Sequence, residues 1–348
     1  MKTAVSGELE RKLALGILVY SDQDISQTVE LARLSETLGC KYFWYTDVRF
    51  ARECYIVLSS VASATEKILI APGVTDPYSR HPALTASAIA TLDEVSDGRA
   101  VLGLGTGIAG FKELGIAPKL PIAAMREAIT IIRGLLHGEQ VTLDGKVLSI
   151  DGGVFSFEPR RPWVPVYIAT HGFQMSRLAG RIADGMWIAN TLDPAVFQLY
   201  MDKVDEGLVQ EGRTTESIEI GLRVEVCISS DRESAIKVMR KRVAGRILGQ
   251  YPHWEYLEKT GLTLPKEFIS LGGLKTRDAI DEASRLIPME IVDTMVLSGD
   301  AERVAEGLKR AIHPRMTQLT LRPHAVPGDS LSNVISTFVN DVMPKVIL

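Results

Sequence analysis

Three segments bring together residue types able to hold a ligand and act on it. The first, Gly105-Thr106-Gly107-Ile108-Ala109-Gly110, fits G-x-G-x-x-G straight after an apolar run. A dinucleotide-binding turn would also need its third glycine to open a helix, with an acid at a strand end ~20 residues on. Here Phe111 to Gly115, Pro118 and Pro121 follow, and Glu127 falls inside a predicted helix. That context rejects the dinucleotide reading and leaves a strand end where backbone passes close to a ligand or another loop. The second segment, Ala71 to Pro82, sets Gly73, Val74 and Thr75 among Pro72, Pro77 and Pro82. Such backbone is fixed and irregular, which suits a ligand wall or simply a rigid loop with Pro82 opening a helix. The third, Thr170-His171-Gly172-Phe173-Gln174-Met175, opens a helix. Backbone N–H groups at a helix start, beside a small hydroxyl, can cradle a phosphate. His171 serves equally well there as a capping residue.

Other chemistries find no support. The chain has no H-E-x-x-H, no G-x-S-x-G and no P-loop lysine, and its six histidines are dispersed. Hydrolase and metalloenzyme readings therefore have little to stand on, and no metal is expected. Cys40, Cys54 and Cys227 are scattered and odd in number, so a reducing cytoplasm is the expected compartment. With 39 basic and 43 acidic side chains and no Lys/Arg run, no nucleic-acid partner is expected. Met1 to Arg11 is polar and unlike a signal peptide, and no apolar run approaches the ~18 residues of a membrane helix. The expected partner is a small-molecule substrate, with a homodimer or higher homo-oligomer as the assembly.

What must position these segments is an alternation of short apolar runs with amphipathic stretches, the pattern of a parallel sheet covered by helices. Strands are predicted at Leu13–Val19, Tyr42–Thr46, Ile68–Gly73, Ala100–Gly105, Val166–Ala169, Met186–Ala189, Ile218–Ser229 and Gln318–Leu321. Helices follow them, one with an Ile25, Val29, Ala32, Leu38 stripe and another with Leu84, Ala88, Leu92, Val95. Val141–Phe157, with Asp144-Gly145 and Gly152-Gly153, reads as an inserted hairpin, and Arg232–Ile312 as mostly helical. Eight strands without a second composition regime predict one (β/α)8 TIM barrel, an α/β fold forming a single domain over 1–348. Its excess length falls after strands four and seven, where active-site loops belong. A doubly wound open sheet is the rival.

Taken together, Gly73 to Gly107 (GVTDPYSRHPALTASAIATLDEVSDGRAVLGLGTG) and Val164 to Gly185 (VPVYIATHGFQMSRLAGRIADG) resemble the luciferase-like flavin- and deazaflavin-dependent oxidoreductases. The branch resembled most is that of the methylenetetrahydromethanopterin reductases. The resemblance is good over about Leu13 to Asn190 and looser beyond. It implies a barrel with a flavin or deazaflavin ring over the strand ends, backed by a bulge with a non-prolyl cis peptide at Gly73-Val74. It implies ring contacts from Asp47, Gly73, Val74, Thr75, Gly105, Thr106 and Gly107. It also implies a phosphate site at Thr170, His171, Gly172, Gln174 and Met175. Two departures stand out: Val48 replaces a histidine that often follows the aspartate, and Ile108 replaces an acid that often follows Thr-Gly. Asp47 and Arg49 remain as catalytic candidates, or as a structural salt bridge.

The leading reading is hydride transfer between coenzyme F420 and a small organic substrate, with the protein supplying orientation and excluding water. The alternative is an FMN-dependent monooxygenase using reduced flavin and oxygen. A non-catalytic barrel is the third. The substrate is expected to meet Arg232–Ile312, where Tyr251, His253, Trp254 and Tyr256 form an aromatic lid or, more simply, pack helices.

Overall fold

The computed structural model describes residues 13–107, 110–170, 172–189, 191–251, 254, 257, 261–274 and 276–346. Ile108, His171, His253 and Tyr256 lie outside them. Eleven strands are described: β1 (Ala14–Val19), β2 (Tyr42–Tyr45), β3 (Leu69–Pro72), β4 (Leu102–Leu104), β5 (Val141–Asp144), β6 (Ser149–Gly153), β7 (Val166–Thr170), β8 (Gly185–Ala189), β9 (Glu219–Ile228), β10 (Val296–Gly299) and β11 (Gln318–His324). The main helices are α1 (Ile25–Thr37), α2 (Cys54–Ala64), α3 (Pro82–Val95), α4 (Pro121–Leu136), α5 (Phe173–Ile182), α6 (Pro194–Gln210), α7 (Arg232–Gly249), α8 (Lys266–Ser270), α9 (Arg277–Leu286), α10 (Met289–Asp293), α11 (Ala301–Ala311) and α12 (Leu331–Thr337). Side chains at the starts of several helices accept the orphan N–H groups, among them Asp24, Asp193, Asp300 and Ser330.

All pairing in the main sheet is parallel, in the order β3-β2-β1-β11-β9-β8-β7-β4. Bridges Ile70–Ala100 and Thr75–Leu104 then join β3 to β4 and close the ring. The chain is a (β/α)8 barrel, as the alternation predicts. Between those two bridges β3 advances five residues while β4 advances four, so a bulge lies at Pro72–Val74. The sheet–helix layer is one apolar core, while Leu18, Tyr42, Trp44, Ala71, Val101, Tyr167 and Trp187 fill the barrel interior. At the closed end Tyr42 and Tyr167 both donate to Glu219, with Lys41 at 3.2 Å from the same carboxylate.

Two details differ from expectation and a third adds to it. Leu84 and Val95 are exposed, and α3 buries Thr85, Ala86, Ile89, Ala90, Leu92 and Asp93 instead. Small residues let that face pack tightly on the strands, which a search for large apolar residues misses. The β5–β6 hairpin follows the C-terminal end of α4 and packs back along that helix. Buried Glu127 grips its turn by accepting from Lys146, Val147 and Leu148 N–H. Finally, β10 is a strand inside the stretch predicted helical. It pairs with Glu225–Ile228, the half of β9 that extends beyond β8. Four residues are too few for periodicity to tell strand from helix. The helices before β10 enclose a second core, Met239, Val243, Ile247, Phe268, Ala283 and Ile291 among it, which joins the strands through Cys227 and Val296.

Candidate active site

Because β2, β3, β4 and β7 are parallel neighbours around the closed ring, Asp47, Gly73, Gly105 and Thr170 all lie at one mouth. The Gly73–Val74 peptide is cis. Val74 is half-buried and packs on the interior cluster, not on the helix layer. Two glycines of β4's run make room for it: a Cβ at Gly103 would meet Pro72 O at 2.3 Å, and one at Gly105 would meet Val74 Cγ2 at 2.6 Å. The result is a stiff apolar wall above Trp44 and Trp187, whose rings pack edge to face.

The two charged candidates separate in the structure. Arg49 does not pair with Asp47; its Nη1 lies 2.5 Å from Asp76 Oδ2 in a largely buried ion pair. Asp76 also accepts from Tyr78 N, Ser79 N and Ser79 Oγ. The Arg49 guanidinium lies 4.2 Å over the Phe111 ring, and its atoms crowd Gly107 and Gly110. Arg49 thus ties the loops after β2, β3 and β4 together, the work of a positioning residue. Asp47 is left facing Thr75. Burial pushes its carboxyl above the usual range, with the nearby Thr75 hydroxyl partly opposing. Thr75 Oγ1 is itself sealed from solvent, and no described acceptor meets hydrogen-bond geometry with it.

At the third segment, Gly172 is the N-cap of α5, and among the described residues no side chain caps that helix. Thr170 Oγ1 accepts from Gly172 N at 2.9 Å, holding the turn. Among the described residues, a Cβ at Gly172 would meet nothing nearer than Thr170 Oγ1 at 3.9 Å, so they leave the space beside the helix start open. Gln174 is exposed there, whereas the Met175 side chain is buried in the core, which leaves only its backbone facing the cradle. Thr106 and Gly107 are half-buried beside the wall.

Charged residues that sequence analysis passed over sit across the mouth. Glu225 of β9 is buried among Arg223, Arg242, Arg246, Arg322 and His324. The available signal was Arg223-x-Glu225 and Arg322-x-His324, charges at period two on the inward face of otherwise apolar strands. Of the four aromatic lid candidates, Trp254 packs: it donates to Ile247 O at 2.7 Å and its ring meets those of Tyr251 and Phe268, while His253 and Tyr256 lie outside the described residues. His81 is likewise structural, its Nδ1 capping Ala83 N and its Nε2 at Ser149 O. Among the described residues no His, Cys, Asp and Glu cluster could hold a metal, and no helix is long and apolar enough to cross a membrane.

Known proteins resemble the chain over most of its length. The profile of the family described as luciferase-like monooxygenase matches residues 11–318. A 5,10-methylenetetrahydromethanopterin reductase of Archaeoglobus fulgidus is 31% identical over 337 residues, 96% of this chain and 99% of its own. An F420-dependent glucose-6-phosphate dehydrogenase of Microbacterium testaceum is 28% identical, covering 87% and 85%. The structure of the coenzyme F420-dependent tetrahydromethanopterin reductase of Methanopyrus kandleri superposes with a TM-score of 0.84 at 26% identity, covering 96% and 99%.

Proposed function

The chain belongs to the luciferase-like monooxygenase family, and from that premise we propose an F420-dependent oxidoreductase that moves a hydride between coenzyme F420 and a small organic substrate at the mouth. The observation that carries this reading is the pairing of the Val74 wall after β3 with the start of α5 after β7, on the two strand ends that flank β4. A tricyclic ring needs the first and a phosphodiester needs the second. Relatives named as F420-dependent support the deazaflavin over FMN.

In this reading Val74, Gly73 and Gly105 to Gly107 back the ring, Asp47 and Thr75 contact its edge, and Thr170, Gly172, Gln174 and Met175 hold the phosphate. When bound, F420 supplies hydride chemistry; the barrel orients the reactants and excludes water. Arg49 keeps three mouth loops in register. The 348 residues act as one catalytic unit. Ile56 and Leu84, exposed on the adjacent outer helices α2 and α3, support association with a second copy.

Mass spectrometry of cofactor released from the purified protein, with fluorescence titration of added F420, tests the reading. Release of F420, or saturable binding of it, is the expected result. Release of FMN with no F420 binding would replace hydride transfer by the monooxygenase reading.

A further inference from the structure

The Glu225 cluster stands in a position that packing alone does not require. In the closed ring β9 and β11 lie directly across from β3 and β4, so the cluster faces the Val74 wall over the mouth. Register places Arg322 beside Glu225 and His324 beside Cys227, all on inward-facing positions. Arg242 and Arg246 reach the same carboxylate from α7, in the segment after β9. Among the described residues the group holds four guanidiniums and one carboxylate. His324 is neutral at pH 7, because burial lowers its pKa. Among the described members of the group, positive charge therefore outnumbers negative in a largely desolvated place.

Arg322 is the member best placed to meet a ligand. Its only hydrogen-bond contact with a described residue is Nη1 to Glu225 Oε1 at 3.4 Å, beyond the usual N–H···O range. Its Nε and Nη2 are hydrogen-bonded to no described residue, and neither is sealed from solvent. One face of the guanidinium lies 4.5 Å from the ring centre of Tyr20, the residue that follows β1 at the mouth. A planar fork held flat by an aromatic ring and leaning on one distant carboxylate is set for a second oxyanion. Burial, together with Arg242 and Arg246, lowers its pKa to about 10, and Arg223 is lowered to about 9, so a bound anion would relieve both.

We propose that Arg322, supported by Arg223 and Arg242, is an oxyanion subsite, and that the substrate carries a carboxylate or phosphate which this subsite holds while its reacting carbon lies toward the Val74 wall. This rests on the reading that the reaction occurs at this mouth.

The test is isothermal titration of the protein, without added cofactor, with inorganic phosphate and with acetate at constant ionic strength. A Gly172→Asp background silences the α5 cradle. Saturable binding of either probe supports the subsite, and the tighter one names the group. Arg322→Gln is expected to weaken that binding at least tenfold. Arg322→Lys, which keeps the charge but loses the fork, serves if the glutamine variant does not fold, with a smaller but measurable loss expected. Absence of binding in the Gly172→Asp protein, or equal binding in the Arg322 variants, overturns the proposal. Because no cofactor is added, failure of the F420 reading would show separately in the cofactor titration.

Discussion

Replacing Glu225 by Gln removes one charge and almost no volume from the most highly charged point of the barrel. Glu225 is 1% exposed and takes part in four ion pairs with arginines, Arg242 Nε among them at 2.8 Å, and it also accepts from His324 Nε2 at 2.9 Å. Burial by itself raises its carboxyl pKa, but Arg246, His324, Arg322 and Arg223 outweigh that and hold it well below the usual range. Removing one partner of a buried ionic group typically costs about 3–5 kcal/mol, because the remaining charges keep their desolvation penalty. At about 2.1 cal/mol/K of unfolding entropy per residue, a 348-residue chain would lose roughly 4–7 °C in Tm. The pH dependence has a definite sign. A depressed carboxyl contributes fully above its unfolded pKa, about 4.3, and loses that contribution as pH falls toward the folded value. The gap between wild type and Glu225→Gln should therefore be constant from neutral pH to about 5 and close below about 4. Inorganic phosphate should raise the Tm of the variant more than that of the wild type, since the guanidiniums that lose the Glu225 carboxylate then gain an anion. Thermal unfolding by circular dichroism across pH reads all three. A Tm at neutral pH within about 1 °C of wild type would refute the electrostatic account of the cluster, because a loss of 3–5 kcal/mol could not hide there.

Gly172→Asp puts a carboxylate into space that the described residues leave open at the start of α5, so the fold should survive while F420 affinity falls at least tenfold; unchanged affinity in a fluorescence titration would place the phosphate elsewhere. Val74→Gly removes the apolar wall over Gly103 and Gly105, and should loosen the cofactor and slow turnover in a protein whose circular dichroism is unchanged. Asp47 gives a pH signature opposite to that of Glu225. Its raised pKa favours the protonated form in the folded state, so its carboxyl costs stability as pH rises through that value. Asp47→Asn should match wild type near pH 4 and become the more stable of the two toward pH 8. A Tm difference independent of pH would show that Asp47 is not held in a desolvated site.

The barrel was legible because its signals are local. Each strand is a short apolar run and each helix an amphipathic one, so their alternation fixes a parallel sheet whose strand ends share one mouth. The three segments singled out for chemistry stand at those ends for the same reason: a loop that follows a strand in a barrel can only open onto that face. The Gly-rich end of β4 was also interpretable, since its glycines clear a path for the Pro72–Val74 bulge on β3.

Pairings between distant residues were not legible. From the sequence, Asp47 and Arg49 looked like a possible pair because they stand two residues apart, yet the loop after β2 sends Arg49 to Asp76 instead. The direct pairing of β2 with β3 brings Asp76 to Arg49. Nor does sequence order place Glu225 beside Arg322, 97 residues away; the register of β9 against β11 does that. The hairpin after α4 has clear turn signals, but its packing back along that helix depends on Glu127 gripping its turn from α4. Composition and periodicity determine which elements form and which ends of them meet, since those follow from backbone geometry and from where apolar side chains must go. Which charges face each other across the mouth is decided by register and closure, because Coulombic and hydrogen-bonded contacts depend on a few ångströms of position that no local pattern encodes.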